Sequence, residues 1–237
     1  MKLDRRGVLK IAGAALVIGG LPQRAAGAGK VKIGIVGSGR VGSAIGGVWV
    51  KAGHAVMFSS RNIEHDKALA ARLGAGARAG TPREAAAFGD VVMISVPYRA
   101  LPEVGKDLAD LIKGKTVIDT CNPFVSRDGE IATWAREKGA GLASAELLPA
   151  AHIIRAFNAI GAARMGTAHA QPGRIGMPIA GDEAQAVAMA SRLIRDIGYE
   201  PVLIGGLAMG KHLMPGTPLA GEHTPEEIRR IAASLRS

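Results

Sequence analysis

The sequence predicts an α/β fold: a doubly wound, mostly parallel sheet extended by a short C-terminal strand-helix-strand addition and a terminal helix. Three observations lead there. Short apolar runs alternate with helical patterns along most of the chain. The first of these runs, Val31 to Val36, passes straight into Gly37-x-Gly39-x-x-Gly42 and then into a helical pattern through Ala44, Ile45, Val48 and Trp49. The run from Asp90 to Pro97 is almost unbroken in its apolarity, as a strand covered on both faces should be.

The first strand, turn and helix carry the chemistry. One glycine makes a tight turn, one lets backbone approach a pyrophosphate, and one lets helix pack on strand. The helix start then offers free N–H groups and a positive dipole end to the anion. Three spaced glycines alone are a weak signal in a chain with 33 of them; between this strand and this helix they predict a Rossmann-type dinucleotide site.

A second strand, Ala55 to Phe58, ends in Ser59-Ser60-Arg61-Asn62, where the adenosine ribose of a dinucleotide would sit. No acid stands at this strand end to accept from ribose hydroxyls. Hydroxyls and a guanidinium stand there instead, the chemistry of a 2′-phosphate site, so NADP is expected over NAD. A helix over 64–73, a short strand over 77–80 and a helix over 82–88 follow, the last with Pro in its first turn. After the fourth strand, Asp90 to Pro97, the residues Val96 and Pro97 are placed at the crevice. Leu101 to Ile112 is helical, Lys115 to Thr120 is the fifth strand, and Ile131 to Lys138 is a further helix. Ile153 to Asn158 is expected as a sixth strand. Beyond it come a strand over 175–180, a helix over 183–197, a strand over 199–204, a loop over 205–221 and a terminal helix over 224–235. That last helix opens on Thr224-Pro225-Glu226-Glu227, an N-cap with a capping-box acid.

The chain divides on this reading into a leader (1–28), a nucleotide-binding domain (29–170) and a C-terminal sheet extension with a helix packing over the site (171–237). The leader carries paired arginines, Arg5-Arg6, ahead of a mild apolar run, and Ala26-Gly27-Ala28 suits a signal peptidase. It resembles a twin-arginine export signal, which predicts a periplasmic or extracellular protein. The run is too short and too rich in Gly and Ala to anchor the mature chain in a membrane. Five basic residues and one acid lie in the leader, so the remainder keeps +6 of the chain's net +10. That balance suits an anionic cofactor, and without Lys/Arg runs interleaved with aromatics it does not indicate nucleic acid. The single cysteine, Cys121, excludes an intrachain disulfide and any cysteine-based metal centre. The six histidines show no HExxH spacing, there is no GxSxG elbow, and His54 and His152 read as packing or surface residues.

Several further segments fit a known pattern: Ile33 to Gly42, Ser60-Arg61, Ser95-Val96-Pro97, Ile118-Asp119-Thr120-Cys121-Asn122-Pro123, Ala156-Phe157-Asn158 and Pro178-Ile179-Ala180-Gly181-Asp182. Together they make the chain resemble the NADP-dependent oxidoreductases of the deazaflavin coenzyme F-420. The resemblance implies hydride transfer between NADPH and a second redox partner, coenzyme F-420 or a flavin. It places Gly37, Ser38, Gly39, Arg40, Val41 and Gly42 on the pyrophosphate, and Ser59, Ser60 and Arg61 around the 2′-phosphate. Val96, Pro97 and Asn122 fall on the nicotinamide side. Asn158, Ala159, Ala162 and Leu207 line the place where the hydride partner meets it. Members commonly have a Leu-rich segment ending in an acid where this chain has Leu207 to Met214.

Transfer between two cofactors asks for stacking and exclusion of water rather than an acid–base pair, so no catalytic side chain is singled out. The partner is expected to be a small-molecule redox acceptor, and a homodimer is compatible with the sequence. A hydroxyacid or imine dehydrogenase is disfavoured, because about fifty residues after Gly181 are too few for the helical domain such enzymes add. Two other readings stay open. One is a nucleotide-binding protein without turnover, acting as a sensor or redox accessory. The other is a ferric or cupric reductase or copper handler, because Met209, His212, Met214 and His223 are thioether and imidazole ligands in one segment. The simpler reading of that segment is a loop with apolar anchors closing over the site.

Overall fold

A computed structural model describes residues 29–167 and 171–235. The expected leader over 1–28 lies outside the described residues. Among the described residues eight strands form one continuous sheet in the order β3-β2-β1-β4-β5-β6-β7-β8. The strands are β1 (Lys32–Val36), β2 (Ala55–Ser59), β3 (Ala77–Ala79), β4 (Val91–Ile94), β5 (Thr116–Asp119), β6 (His152–Arg155), β7 (Gly176–Ala180) and β8 (Glu200–Gly205). Strands β1 to β6 run parallel. Strand β7 joins β6 antiparallel through a single pair, Arg155 with Ala180, and β8 runs parallel to β7. The sheet is therefore Rossmann-type and mostly parallel, with a β-α-β unit turned end for end at its edge.

The alternation of side chains along the central strands sorts the core into two layers. Ile33, Ile35, Val91, Met93, Ile118 and Ile154 face α1 (Arg40–Lys51) and α8 (Ala184–Arg195). Val36, Val92, Ile94, Val117 and Ile153 face α4 (Leu101–Ile112), α6 (Glu130–Lys138) and α7 (Ala140–Leu147). Between β2 and β4 lie α2 (Ile63–Leu73) and α3 (Pro82–Phe88); a one-turn helix, α5 (Val125–Asp128), follows β5. A third cluster joins Ala180, Val202, Ile204, Leu213 and Leu219 to Ile228 and Ala232 of α9 (Pro225–Ser234). The Trp49 indole N–H donates to the Leu193 carbonyl at 2.8 Å and ties α1 to α8. Phe157 stands edge-on between Trp49 and Tyr199, with centroids 6.3 and 6.0 Å away.

Besides the unexpected one-turn α5 and the end of β4 at Ile94 instead of Pro97, three elements differ from the sequence expectation. Helix α7 occupies a stretch with no amphipathic period: Ala140, Gly141, Ala143 and Ser144 are buried, whereas Leu142 is exposed. The small residues face inward because another segment passes very close; a Cβ on Gly141 would overlap the Leu207 carbonyl. That segment, Leu207–His212, is a 3-10 helix and not open loop. Strand β6 ends at Arg155 rather than Asn158, since Phe157 takes a left-handed φ of 64° that no strand continues.

One buried titratable group gives a pH expectation. His54 accepts from the Val31 N–H at Nδ1 (3.3 Å) and faces Asp196 through Nε2 (3.0 Å). Burial pushes its pKa below 6.5, against the pull of Asp196. The unfolded chain thus binds the proton more readily, and stability should fall as pH drops through 6.5 towards the lower folded value. Urea melts across pH 5.5 to 8 should show that loss in the native protein and a smaller one in His54→Gln.

Candidate functional site

Strands β1 and β4 are neighbours but lie apart in sequence, and their connections leave on opposite sides. A crevice opens at their carboxyl ends. The glycine turn and Ser95-Val96-Pro97 meet there. Gly37 has φ 104°, and a Cβ on it would overlap the Ser95 carbonyl. A Cβ on Gly42 would overlap the Gly37 carbonyl. A Cβ on Gly39, by contrast, would meet nothing within 4 Å. The three glycines thus turn the chain, leave room, and seat the helix. No side chain of the described residues caps α1 at Gly39, so its first N–H groups stay available to an anion. Val41 lies in the first turn, and Arg40 beside it is exposed with no hydrogen bond or ion pair among the described residues.

Ser59 is fully buried and holds the turn rather than facing the crevice. Its carbonyl accepts from the N–H groups of Gly37 (2.9 Å) and Ser38 (3.0 Å), and its hydroxyl donates to the Ile35 carbonyl at 2.7 Å. Ser38 is also buried, its hydroxyl donating to Asp66. Ser60 is half-buried and donates to the other Asp66 oxygen at 2.8 Å. Arg61 is exposed and, like Arg40, unpaired among the described residues.

On the other side of the crevice, Val96 and Pro97 leave the sheet after β4 ends at Ile94, and the Val96 N–H points at Cys121 Sγ (3.4 Å). Burial, with Asp119 beside it, pushes the Cys121 thiol up, so this cysteine stays a neutral hydrogen-bonding group. Asn122 donates from Nδ2 to the Asn158 carbonyl at 2.7 Å and accepts from Arg155 at 3.3 Å. Arg155 and Asp119 form a buried ion pair at 2.6 Å. Arg155 also donates to the carbonyls of Cys121 (3.1 Å) and Leu213 (3.3 Å), and Asp119 accepts from the Cys121 N–H at 2.8 Å. A charged network under the crevice floor therefore joins β5, β6 and the 207–213 segment.

Asn158 follows the left-handed Phe157 and is 1% exposed, yet both its amide atoms lack a partner in the described protein. Each such orphan costs about 1–3 kcal/mol, so a built site that keeps them has a use for them. The Ala159 carbonyl accepts from Gly221 at 2.8 Å, and Ala162 is half-buried in the turn that follows. Leu207 stands apart from this group: its side chain packs into the core against α7, and its N–H donates to Asp182 at 3.1 Å. Met214 is buried and Met209 packs in the third cluster, while His223 Nε2 lies 3.2 Å from the Ala220 carbonyl. Among the described residues no three His, Cys, Asp or Glu side chains gather as a metal site, and no helix is long and apolar enough to cross a membrane.

No site motif of the sequence assigns a role to Asp66, Asp119 or Arg155. The last two carried a signal, since an acid closing Val117-Ile118 and an arginine closing Ile153-Ile154 must be buried with their strands and so need each other.

Similarity to known proteins agrees with this architecture. Residues 32–123 match the family model of the coenzyme F420-dependent NADP oxidoreductases. The chain is 29% identical over 182 residues to metalloreductase STEAP3 of Rattus norvegicus, an overlap of 77% of this chain and 35% of the relative. The matched region thus spans about a third of that relative's length. A hypothetical protein of Sinorhizobium meliloti shares the fold with TM-score 0.66 and 25% identity, over 81% of this chain and 93% of that one. A candidate F420-dependent NADP reductase of an Arthrobacter species superposes with TM-score 0.63 at 18% identity, over 87% and 96% of the two chains. The 3-hydroxyisobutyrate dehydrogenase of Mycobacterium tuberculosis follows at 0.56 and 20% identity, over 77% of this chain and 57% of its own. This chain shares its fold with these solved structures, and over residues 32–123 it carries the pattern of the F420-dependent NADP oxidoreductase model.

Proposed function

We propose that the protein is an NADP(H)-dependent oxidoreductase that passes a hydride between NADPH and a second small-molecule redox partner, coenzyme F420 or a flavin. The observation that carries this reading is the glycine turn: room at Gly39, an α1 that no described side chain caps, and guanidinium groups at Arg40 and Arg61 that are unpaired among the described residues all meet at one crevice. Those residues fit a phosphorylated dinucleotide, and the match to the oxidoreductase model covers the same segment.

The reduced nicotinamide, when bound, supplies the hydride. This chain's own residues bind and orient. The Gly39 to Val41 backbone holds the pyrophosphate and Arg61 the 2′-phosphate, and Val96 and Pro97 wall the nicotinamide side. The Asn158 amide offers one donor face and one acceptor face, the pattern that reads a carboxamide or a ring imide. Arg155 anchors Asn122, and Asn122 in turn fixes the Asn158 backbone. Ring-to-ring transfer needs no protein acid or base, only alignment in a dry site.

The likeness to a metalloreductase favours a second reading, in which electrons from NADPH reach ferric or cupric ions. The twin-arginine reading of the leader adds export of the folded, nucleotide-loaded protein. Single-turnover oxidation of bound NADPH, followed at 340 nm against a deazaflavin, a flavin, a quinone and ferric and cupric chelates, separates these readings. Rapid oxidation by the deazaflavin or flavin is expected. Oxidation by chelates alone supports the second reading, and tight binding without oxidation by any of them supports a sensor.

A further inference from the structure

A buried carboxylate lies beneath the adenosine end of the crevice and has no part in the scheme above. Asp66, in the first turn of α2, is fully shielded from solvent. Its Oδ1 accepts from the Ser38 hydroxyl and lies 3.2 Å from His65 Nδ1; its Oδ2 accepts from the Ser60 hydroxyl at 2.8 Å. One carboxylate thus ties the glycine turn to the end of β2, the two segments that would flank a ribose.

The count of protons has a consequence for recognition. A serine hydroxyl has a single proton. Ser60 has a second acceptor within reach, the Asn62 carbonyl at 3.2 Å, and its oxygen already accepts from the Asn62 N–H at 3.1 Å. Whichever acceptor it uses, the proton points into the protein, and what remains for a ligand is a lone pair. A lone pair suits a ribose hydroxyl, which donates, and not a phosphate oxygen, which at neutral pH chiefly accepts. Ser38 is 1% exposed and committed in the same way. Asp66 also sets a negative charge under the 2′ position, where it opposes a phosphate dianion.

We propose that Asp66 sets the coenzyme choice by claiming the hydroxyl protons of Ser38 and Ser60, which leaves the 2′-phosphate to the Arg61 guanidinium and keeps Ser60 as an acceptor for the 2′-hydroxyl of NADH. The inference rests on the nucleotide reading above and narrows it: the site accepts both coenzymes, with a preference for NADPH that Asp66 holds down.

The test is fluorescence titration of the full chain and of Asp66→Asn, Ser60→Ala and the double variant with NADPH and with NADH. Ser60→Ala alone should leave NADPH affinity within about twofold, since its proton never reached the phosphate, and should weaken NADH a few-fold, since the 2′-hydroxyl loses its acceptor. Asp66→Asn should raise the preference for NADPH by roughly tenfold, through loss of the charge and of the stronger of the two acceptors that hold the Ser60 proton, which leaves the 3.2 Å Asn62 carbonyl to compete with the phosphate. In the Asp66→Asn background Ser60→Ala should weaken NADPH severalfold, a loss it does not cause in the native background. An Asp66→Asn protein that binds both coenzymes equally weakened, or with an unchanged ratio, overturns the inference and leaves a purely structural carboxylate. A severalfold loss of NADPH affinity in Ser60→Ala alone overturns it too, and that variant keeps the test decisive should Asp66→Asn fail to fold. A native chain that binds neither coenzyme overturns instead the nucleotide reading on which the inference stands.

Discussion

Arg61→Glu is expected to weaken NADPH binding by roughly a hundred- to a thousandfold while NADH affinity changes by only a few-fold. The guanidinium is exposed and unpaired among the described residues, so its removal releases no protein partner and disturbs no packing. What is lost is a charge-assisted bond to the phosphate, and what is gained is a second acid beside Asp66, which already lies under the ribose. NADH lacks that phosphate and should be nearly indifferent. Equilibrium titration of both coenzymes at two ionic strengths checks the claim. Added salt should weaken NADPH binding to the native protein more than NADH binding, and Arg61→Glu should remove that difference. An unchanged ratio of affinities would take Arg61 out of the site and leave the preference for NADP without a residue to carry it.

Much of this site could be read from residues whose neighbours in sequence are also their neighbours in space. The glycine turn is such a case: Gly37, Gly39 and Gly42 differ in what a side chain would strike, and strand, turn and helix follow one another within a dozen residues. Asp66 is the opposite case. In Ile63-Glu64-His65-Asp66-Lys67 it has the look of a solvated helix face, and only the fold turns it under Ser38 and Ser60. Helix α7 eluded the pattern because its inward positions are small, and they are small because the 207–212 segment presses against them. The end of β6 was hidden for a related reason. The apolar run continues through Ala156 and Phe157, but the left-handed Phe157 backbone answers to the aromatic pair Trp49 and Tyr199, over a hundred residues away and some forty residues on. Asn158 is a candidate on sequence grounds, whereas the lack of any partner for its buried amide among the described residues, the feature that would give it a task, shows only in the fold.

Arg155→Met is expected to destabilise the protein by about 3–5 kcal/mol, because it leaves the Asp119 carboxylate charged, buried and without its partner. Nothing in the surroundings can replace the guanidinium. Its stem runs between Gly141 and Gly210, where a Cβ on Gly210 would lie 2.7 Å from the Arg155 Cδ, and its head bonds to two other chain segments at once, residues 119–122 and Leu213. Removing both charges should behave differently. Asp119→Leu with Arg155→Met replaces a desolvated pair by apolar volume, and most of the lost stability should return in urea unfolding. Activity should not return with it. Asn122 loses the donor that holds its side-chain oxygen, and with it the grip on the Asn158 carbonyl, while the glycine turn and Arg61 are untouched. The double variant should therefore bind NADPH as the native protein does and oxidise it at least tenfold more slowly, a division expected if the network positions the hydride side alone. Equal loss of binding and turnover would instead mean that the pair holds the whole crevice together, and the separation of a nucleotide half from a hydride half would have to be given up.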